Sequence, residues 1–444
     1  MLRLVALGDE FSKHFARFGP RTVDRLQEYL KGLVAARKKN MERMEEAVPG
    51  ADEQRLQHFL TNVDWDHKAV IQQVALGVDA AIGDSAQAGL LLDETAYPKK
   101  GTHSVGVSRQ WCGNLGKVDN CRVAVFAVLS RGQYAAPVDV RLFLPRSWTD
   151  VETRCNRAGV PAADQVPRTK VELAVQMVRQ ARRNGLRFAW VGADGFYGKD
   201  PAFLRSLAAD GETFVADVHK NQLVFLDDPK PSASARRRGG ELTYKSTARA
   251  TRVDLWAKRQ HREAWQRIQV RDGTKGPIVV DVLHRNVWVW DRKESRAHLW
   301  RLIVRREVDT PEKIKYSLSN AGSEVSVKQL AYRQGQRYWV ERAFQDGKTE
   351  VGMGDYQVRG WTPWHHHASL VMMAMLFLLR EKLMHTESLP LLSCADVTAL
   401  LRQFVSEPTT IKDLLAQMDK RHRKRKAAID SARKRRGHSP DNAP

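Results

Sequence analysis

Apolar residues gather into short runs closed by turn formers through the middle of the chain, and spread at helical spacing toward its two ends. The run at 89–92 (GLLL) is too short for a free-standing helix and predicts a buried strand ending at Asp93. Residues 188–191 (FAWV) predict a second strand that delivers Asp194, with Gly195 and Gly198 bracketing a loop of unusual backbone angles. Further strands are expected at 105–107, 122–129, 138–143 and 214–218, and a helix at 170–184. A stretch of different character follows. It opens with a loop holding Pro229, Pro231, Gly239 and Gly240, then shows β-like runs at 251–257, 278–283, 287–290 and 298–305.

Helical patterning returns at 325–346, and the apolar run 368–379 (ASLVMMAMLFLL) reads as a buried helix too short to span a bilayer. At the other end, 21–43 and 65–77 read as helices, with Pro20 and the Pro49-Gly50 turn as boundaries. The whole is an α/β chain of 444 residues, long enough for two or three units. We place the boundaries at 1–80 (helical), 81–224 (first part of a mixed-sheet core), 225–324 (β-rich insertion), 325–384 (helices completing the core) and 385–444 (helical, with a basic tail).

Charge narrows the partners. The formal net charge is +22, and a polyanion gains affinity from each counterion it releases. Between Lys420 and Gly437 ten Lys or Arg face one Asp, a net of +9, which leaves +13 on the rest of the chain. The folded body is therefore expected to meet phosphate as well as the tail. Lys31, Arg37, Lys38 and Lys39 make the N-terminal helices a candidate DNA-facing surface, with a dimerisation or packing bundle as the alternative. Cys112, Cys121, Cys155 and Cys394 are dispersed without CxxC spacing, so a reducing, cytoplasmic setting is expected, with neither a zinc knuckle nor a disulfide framework. No membrane partner is expected.

The candidate chemistry lies in three acids. Asp93 and Asp194 each follow a strand, and Glu341 lies on the helix at 325–346, where Arg337, Glu341, Phe344 and Lys348 share one face. Hard divalent cations take oxygen ligands, and a two-metal site activates the attacking oxygen and stabilises the leaving oxygen of a phosphodiester. Arg337 and Lys348 are spaced to hold the scissile phosphate. An Asp after a strand is more often a helix cap or turn former than a metal ligand, and Asp217 is a competing acid on the strand at 214–218.

Three segments carry a resemblance: LLLDETAYPKKGTHSVGVSRQWCGNLGKVDNC, RTKVELAVQMVRQARRNGLRFAWVGADGFYG and RQGQRYWVERAFQDGKTEVGMGDYQVRGWTPWHHHASL. In order and spacing they resemble the DDE transposases of bacterial insertion sequences, the group related to insertion sequence four with a Tyr-Arg-Glu-Lys signature. Arg337, Glu341 and Lys348 fit that signature, whereas its Tyr position holds Gln334, with Tyr332 and Tyr338 out of phase. Lys170 and His367 are less decisive family-like positions.

The resemblance implies an RNase H-like core, interrupted by the β-rich insertion, in which Asp93, Asp194 and Glu341 bind two magnesium ions, or manganese. It implies double-stranded DNA partners (transposon ends and target), a homodimer in the synaptic complex, and a nucleoid-associated protein of the bacterial cytoplasm. The expected reaction is metal-dependent strand cleavage at terminal inverted repeats followed by strand transfer, with an RNase H-like nuclease or a non-transposing DNA-binding protein as alternatives. In the insertion, Trp256, Trp265, Trp288, Trp290 and Trp300 are candidates for stacking on a flipped base.

Overall fold

Parallel and antiparallel pairing meet on two strands of one large sheet. The computed structural model describes residues 1–234, 243–273, 276–405 and 410–435; the Gly239-Gly240 loop and the tail beyond 435 lie outside the described residues. Strand β1 (Gly89–Pro98) pairs antiparallel with β3 (Lys117–Arg131), which also carries β2 (Ser108–Cys112) and β4 (Tyr134–Leu142). Its other edge pairs in parallel with β5 (Trp190–Ala193), which is followed in parallel by β6 (Phe214–Val218). The connection from β4 to β5 contains the helix Lys170–Arg183, whose start is fixed by a reciprocal capping box between Thr169 and Glu172. A mixed sheet flanked by helices, the RNase H-like α/β arrangement expected from the sequence, is the result.

The longer strands after β6 extend the same sheet, while Leu223–Val224 with Thr251–Arg252 and Ser232–Ala233 with Tyr244–Lys245 form two small ladders apart from it. Strands β7 (Gln266–Gly273), β8 (Gly276–Val289), β9 (His298–Glu307) and β10 (Ile314–Ser319) form an antiparallel meander, and β10 pairs with β6. One ten-stranded sheet therefore runs β7-β8-β9-β10-β6-β5-β1-β3-β2, with β4 also on β3. The runs at 278–283 and 287–290 merge into β8, because the exposed polar residues His284, Arg285 and Asn286 continue the ladder opposite β9. By contrast, 251–257 is a two-residue strand followed by the helix Val253–Lys258. Residues 105–107 are a buried turn, held by Val105 N donating to Arg359 O (2.9 Å).

Helices cover the sheet and share its core. The expected helix at 21–43 is two, α1 (Pro20–Ala35) and α2 (Met41–Ala47), the second capped by the Asn40 side chain. Helix α3 (His67–Ile82) is capped by Asp66 and packs with α5 (Trp361–Met384), whose run from Trp364 to Leu379 is buried throughout. Between them in the chain order of the core comes α4 (Val327–Glu350), started by a capping box of Ser326 and Gln329. It crosses β1, β3, β5 and β6. Among the described residues no helix is long and apolar enough to cross a membrane, and all four cysteines are free and buried.

Candidate active site

Strand register brings two of the three acids together. In the parallel ladder Leu92 of β1 lies opposite Ala193 of β5, so the next residue on each strand, Asp93 and Asp194, leaves the pairing side by side. Asp93 is not at a strand end, as the apolar run suggested; β1 continues to Pro98 on β3 alone. Asp194 begins a short helix, Gly195–Gly198, where a loop was expected: its Oδ1 accepts from Phe196 N (2.9 Å) and Tyr197 N (3.3 Å). Gly198 permits that turn to press on β6, since a Cβ there would sit 2.0 Å from the Asp217 carbonyl.

Arg337 of α4 reaches over the same spot. Its Nη1 donates to Asp217 Oδ2 at 2.8 Å and its Nη2 approaches Asp93 Oδ2 at 3.5 Å. Asp217 is held from behind: Ser317 Oγ donates to its Oδ1 (2.5 Å), and Gln334 Nε2 donates to Ser317 Oγ (2.6 Å). Gln334, which stands at the Tyr position of the signature, is thus a buried member of a relay to Arg337. Next to Asp93, Glu94 accepts from Lys170 Nζ and from the Tyr197 hydroxyl, both at 2.8 Å.

These contacts set the electrostatics. Burial pushes the Asp93 carboxyl up to about 7; Arg337 pulls it down, while Asp194 and Glu94 add to the rise. Burial likewise raises Asp194, against the pull of Arg337. Burial alone would lower Arg337, but Asp217, Asp93 and Asp194 outweigh it and hold the guanidinium firmly protonated.

Glu341 stands apart from this cluster. It is exposed one helical turn beyond Arg337, roughly 6 Å along the axis, and among the described residues its carboxylate has no partner. Lys348 lies further along the same face, its Nζ donating to Asn114 Oδ1 at 3.1 Å, and burial lowers its pKa. Phe344 anchors the face by packing edge-on to Phe126, which pairs with Asp93 across β1 and β3. Among the described residues no three His, Cys, Asp or Glu side chains already converge tightly enough to hold one metal ion. The donor set nevertheless fits a hard divalent cation: two adjoining carboxylates whose repulsion is presently relieved by a guanidinium, and a third carboxylate unengaged on the facing helix.

Other candidates fall elsewhere. Trp256 and Trp300 are each 5% exposed, the latter packed edge-on to Phe214 at 5.1 Å. Trp265 carries the Arg306 guanidinium 3.9 Å over its ring. Trp288 and Trp290 are half-buried, with Trp290 Nε1 donating to Glu294 O. His367 is a core residue bonded to the Tyr29 hydroxyl and the Gly352 carbonyl, and burial pushes it down to about 3. Lys39, expected on a DNA-facing surface, is 2% exposed, and burial lowers it to about 8. A cleft of about 380 Å³ lined by His67, Asp139, Arg141 and His365 contains none of the acids above.

Sequence comparison adds two findings. The family model described as DDE superfamily endonuclease matches residues 11–277. A probable transposase for insertion sequence element IS701 from Microchaete diplosiphon is 24% identical over 317 residues, 70% of each chain.

Proposed function

The chain belongs to the DDE superfamily of endonucleases, enzymes that use divalent metal on DNA, and from that premise we propose that it is a transposase that cleaves the terminal inverted repeats of an insertion sequence and joins them to target DNA. The observation that carries this reading is the side-by-side exit of Asp93 and Asp194 from parallel strands beneath Arg337, together with the likeness to the IS701 protein. Asp93, Asp194 and Glu341 would hold two magnesium or manganese ions. When bound, these supply Lewis-acid activation of the attacking oxygen and neutralise charge on the leaving one.

The chain's own residues do the rest. Asp93 and Asp194 must both be ionised to act, which their burial resists until positive charge arrives. Arg337 supplies that charge at rest; once relieved of Asp93 it keeps its bond to Asp217 and turns its free nitrogens to the scissile phosphate. Lys348 adds a second phosphate contact beside Asn114. Glu341, unengaged, completes the acidic set from the helix side. Half-buried Trp288 and Trp290 are the aromatic faces of the insertion best placed to meet an unstacked base. Two ends processed together call for a homodimer in the synaptic complex.

The test is incubation of the purified chain with labelled DNA bearing the element's ends and a plasmid target, with magnesium or chelator, beside Asp194→Ala. Metal-dependent cutting and joining by wild type alone is expected. Equal binding by both proteins with no cutting by either would leave a DNA-binding protein without chemistry.

A further inference from the structure

A second cationic feature lies beyond the far end of β1. The loop after Pro98, the short helix Glu152–Arg157 and the turn before α5 enclose a cleft of about 410 Å³ lined by Arg154, Arg157, Arg359 and His103, with no Asp or Glu in its wall among the described residues. Its walls are tied to one another: Val105 N donates to Arg359 O (2.9 Å), and Trp361 N to Ala158 O (2.8 Å). Arg154 is the fixed member, donating to the carbonyls of Ser147, Thr102 and Val107 and lying 3.9 Å over the Trp148 ring. All its polar partners are neutral, so its charge stays uncompensated. Arg157 and Arg359 are exposed, and no ion pair engages either among the described residues. Tyr356 and Trp364, which flank Arg359 in the chain, hold a further guanidinium, the fully buried Arg122, with no acid in contact among the described residues.

Three guanidiniums converging in a concavity without a carboxylate repel one another, an arrangement stable only when screened or when an anion sits between them. We propose that this cleft grips backbone phosphates of the DNA bound at the active site, a reading that rests on the proposed function. The path supports a continuous strand rather than a separate ligand. From Asp93 to the end of β1 at Pro98 is on the order of 17 Å, or about five phosphate steps of one strand. Asn114 and Lys348 lie along that line, Asn114 Nδ2 donating to Ala96 O and Lys348 Nζ to Asn114 Oδ1. The contacts are to phosphate, so they position DNA without reading its sequence.

The test measures affinity of the full chain for a duplex of arbitrary sequence across a range of salt, for wild type and Arg157→Ala/Arg359→Ala. Each lost phosphate contact flattens the log–log salt dependence by about 0.9, so the double variant is expected to lose about 1.8 from the slope while melting at the wild-type temperature. An unchanged slope in a folded variant overturns the inference and leaves the proposed function standing. Wild type that binds no duplex at all overturns both. Saturable binding of inorganic phosphate that the double variant loses, with the DNA slope unchanged, would make the cleft a small-anion site and also overturn it.

Discussion

Arg337 sits nearer to Asp217 than to Asp93, at 2.8 Å against 3.5 Å. The shorter bond lies to an acid on β6 that the family signature leaves unassigned, and the longer one to an acid of the proposed catalytic set. Arg337 is thereby held by one carboxylate and lent to the other, an arrangement suited to releasing Asp93 when metal arrives.

Asp217→Ala is therefore expected to draw Arg337 fully onto Asp93. Stability should fall by about 1.5–3 kcal/mol, the usual worth of a hydrogen bond to a charged group, and divalent-metal affinity should fall with it. Denaturant unfolding and calorimetric metal titration read the two effects.

Gln334→Tyr restores the signature residue and is nevertheless expected to harm the protein. Gln334 is 2% exposed and bonded to Ser317, so a phenol must displace packed neighbours and break the relay. A loss of about 1–3 kcal/mol follows from overpacking, measured by thermal or urea unfolding.

The raised pKa of Asp93 has a definite sign. In the unfolded chain this acid ionises near 3.8, in the folded one near 7, so the stability it contributes is complete below about pH 4 and is lost as pH rises toward 7. Asp93→Asn, compared with wild type without metal, should remove that loss and be the more stable protein at pH 8, by on the order of 4 kcal/mol. Saturating magnesium should narrow the difference, and metal binding by wild type below pH 7 should release protons.

Much of this was legible in the chain. The apolar runs that end at Asp93 and Asp194, and the four-residue steps from Arg337 to Glu341, are local patterns and survive into β1, β5 and α4. What escaped was long-range. Ser317 is a hundred residues from Asp217, and only the pairing of β10 with β6 brings them opposite each other. The same pairing joins the strands of the β-rich stretch to the central sheet. Lys39 was misplaced for a related reason: charge at a helix end reads as solvent-facing, yet tertiary packing draws its stem inward, with its backbone N–H donating to Asp355.

Lys39→Met is expected to stabilise the protein by about 1–3 kcal/mol, because it replaces a buried ammonium lacking a hydrogen-bond partner with an apolar chain of similar length. DNA affinity should not change. Unfolding and duplex binding measured on the same preparation check both statements.

Three acids on separate elements are proposed to act as one site, and Glu341 is its most exposed member. Replacing this unpartnered surface residue should cost no more than about 0.5 kcal/mol. The decisive measurement is metal-dependent cleavage of end-bearing DNA by Glu341→Ala, made on protein shown to melt and to bind DNA as wild type does. The expected result is cleavage reduced by at least roughly 10²–10³-fold. Cleavage at the wild-type rate would exclude Glu341 from the site and leave it a solvated glutamate with no role, as its exposure allows.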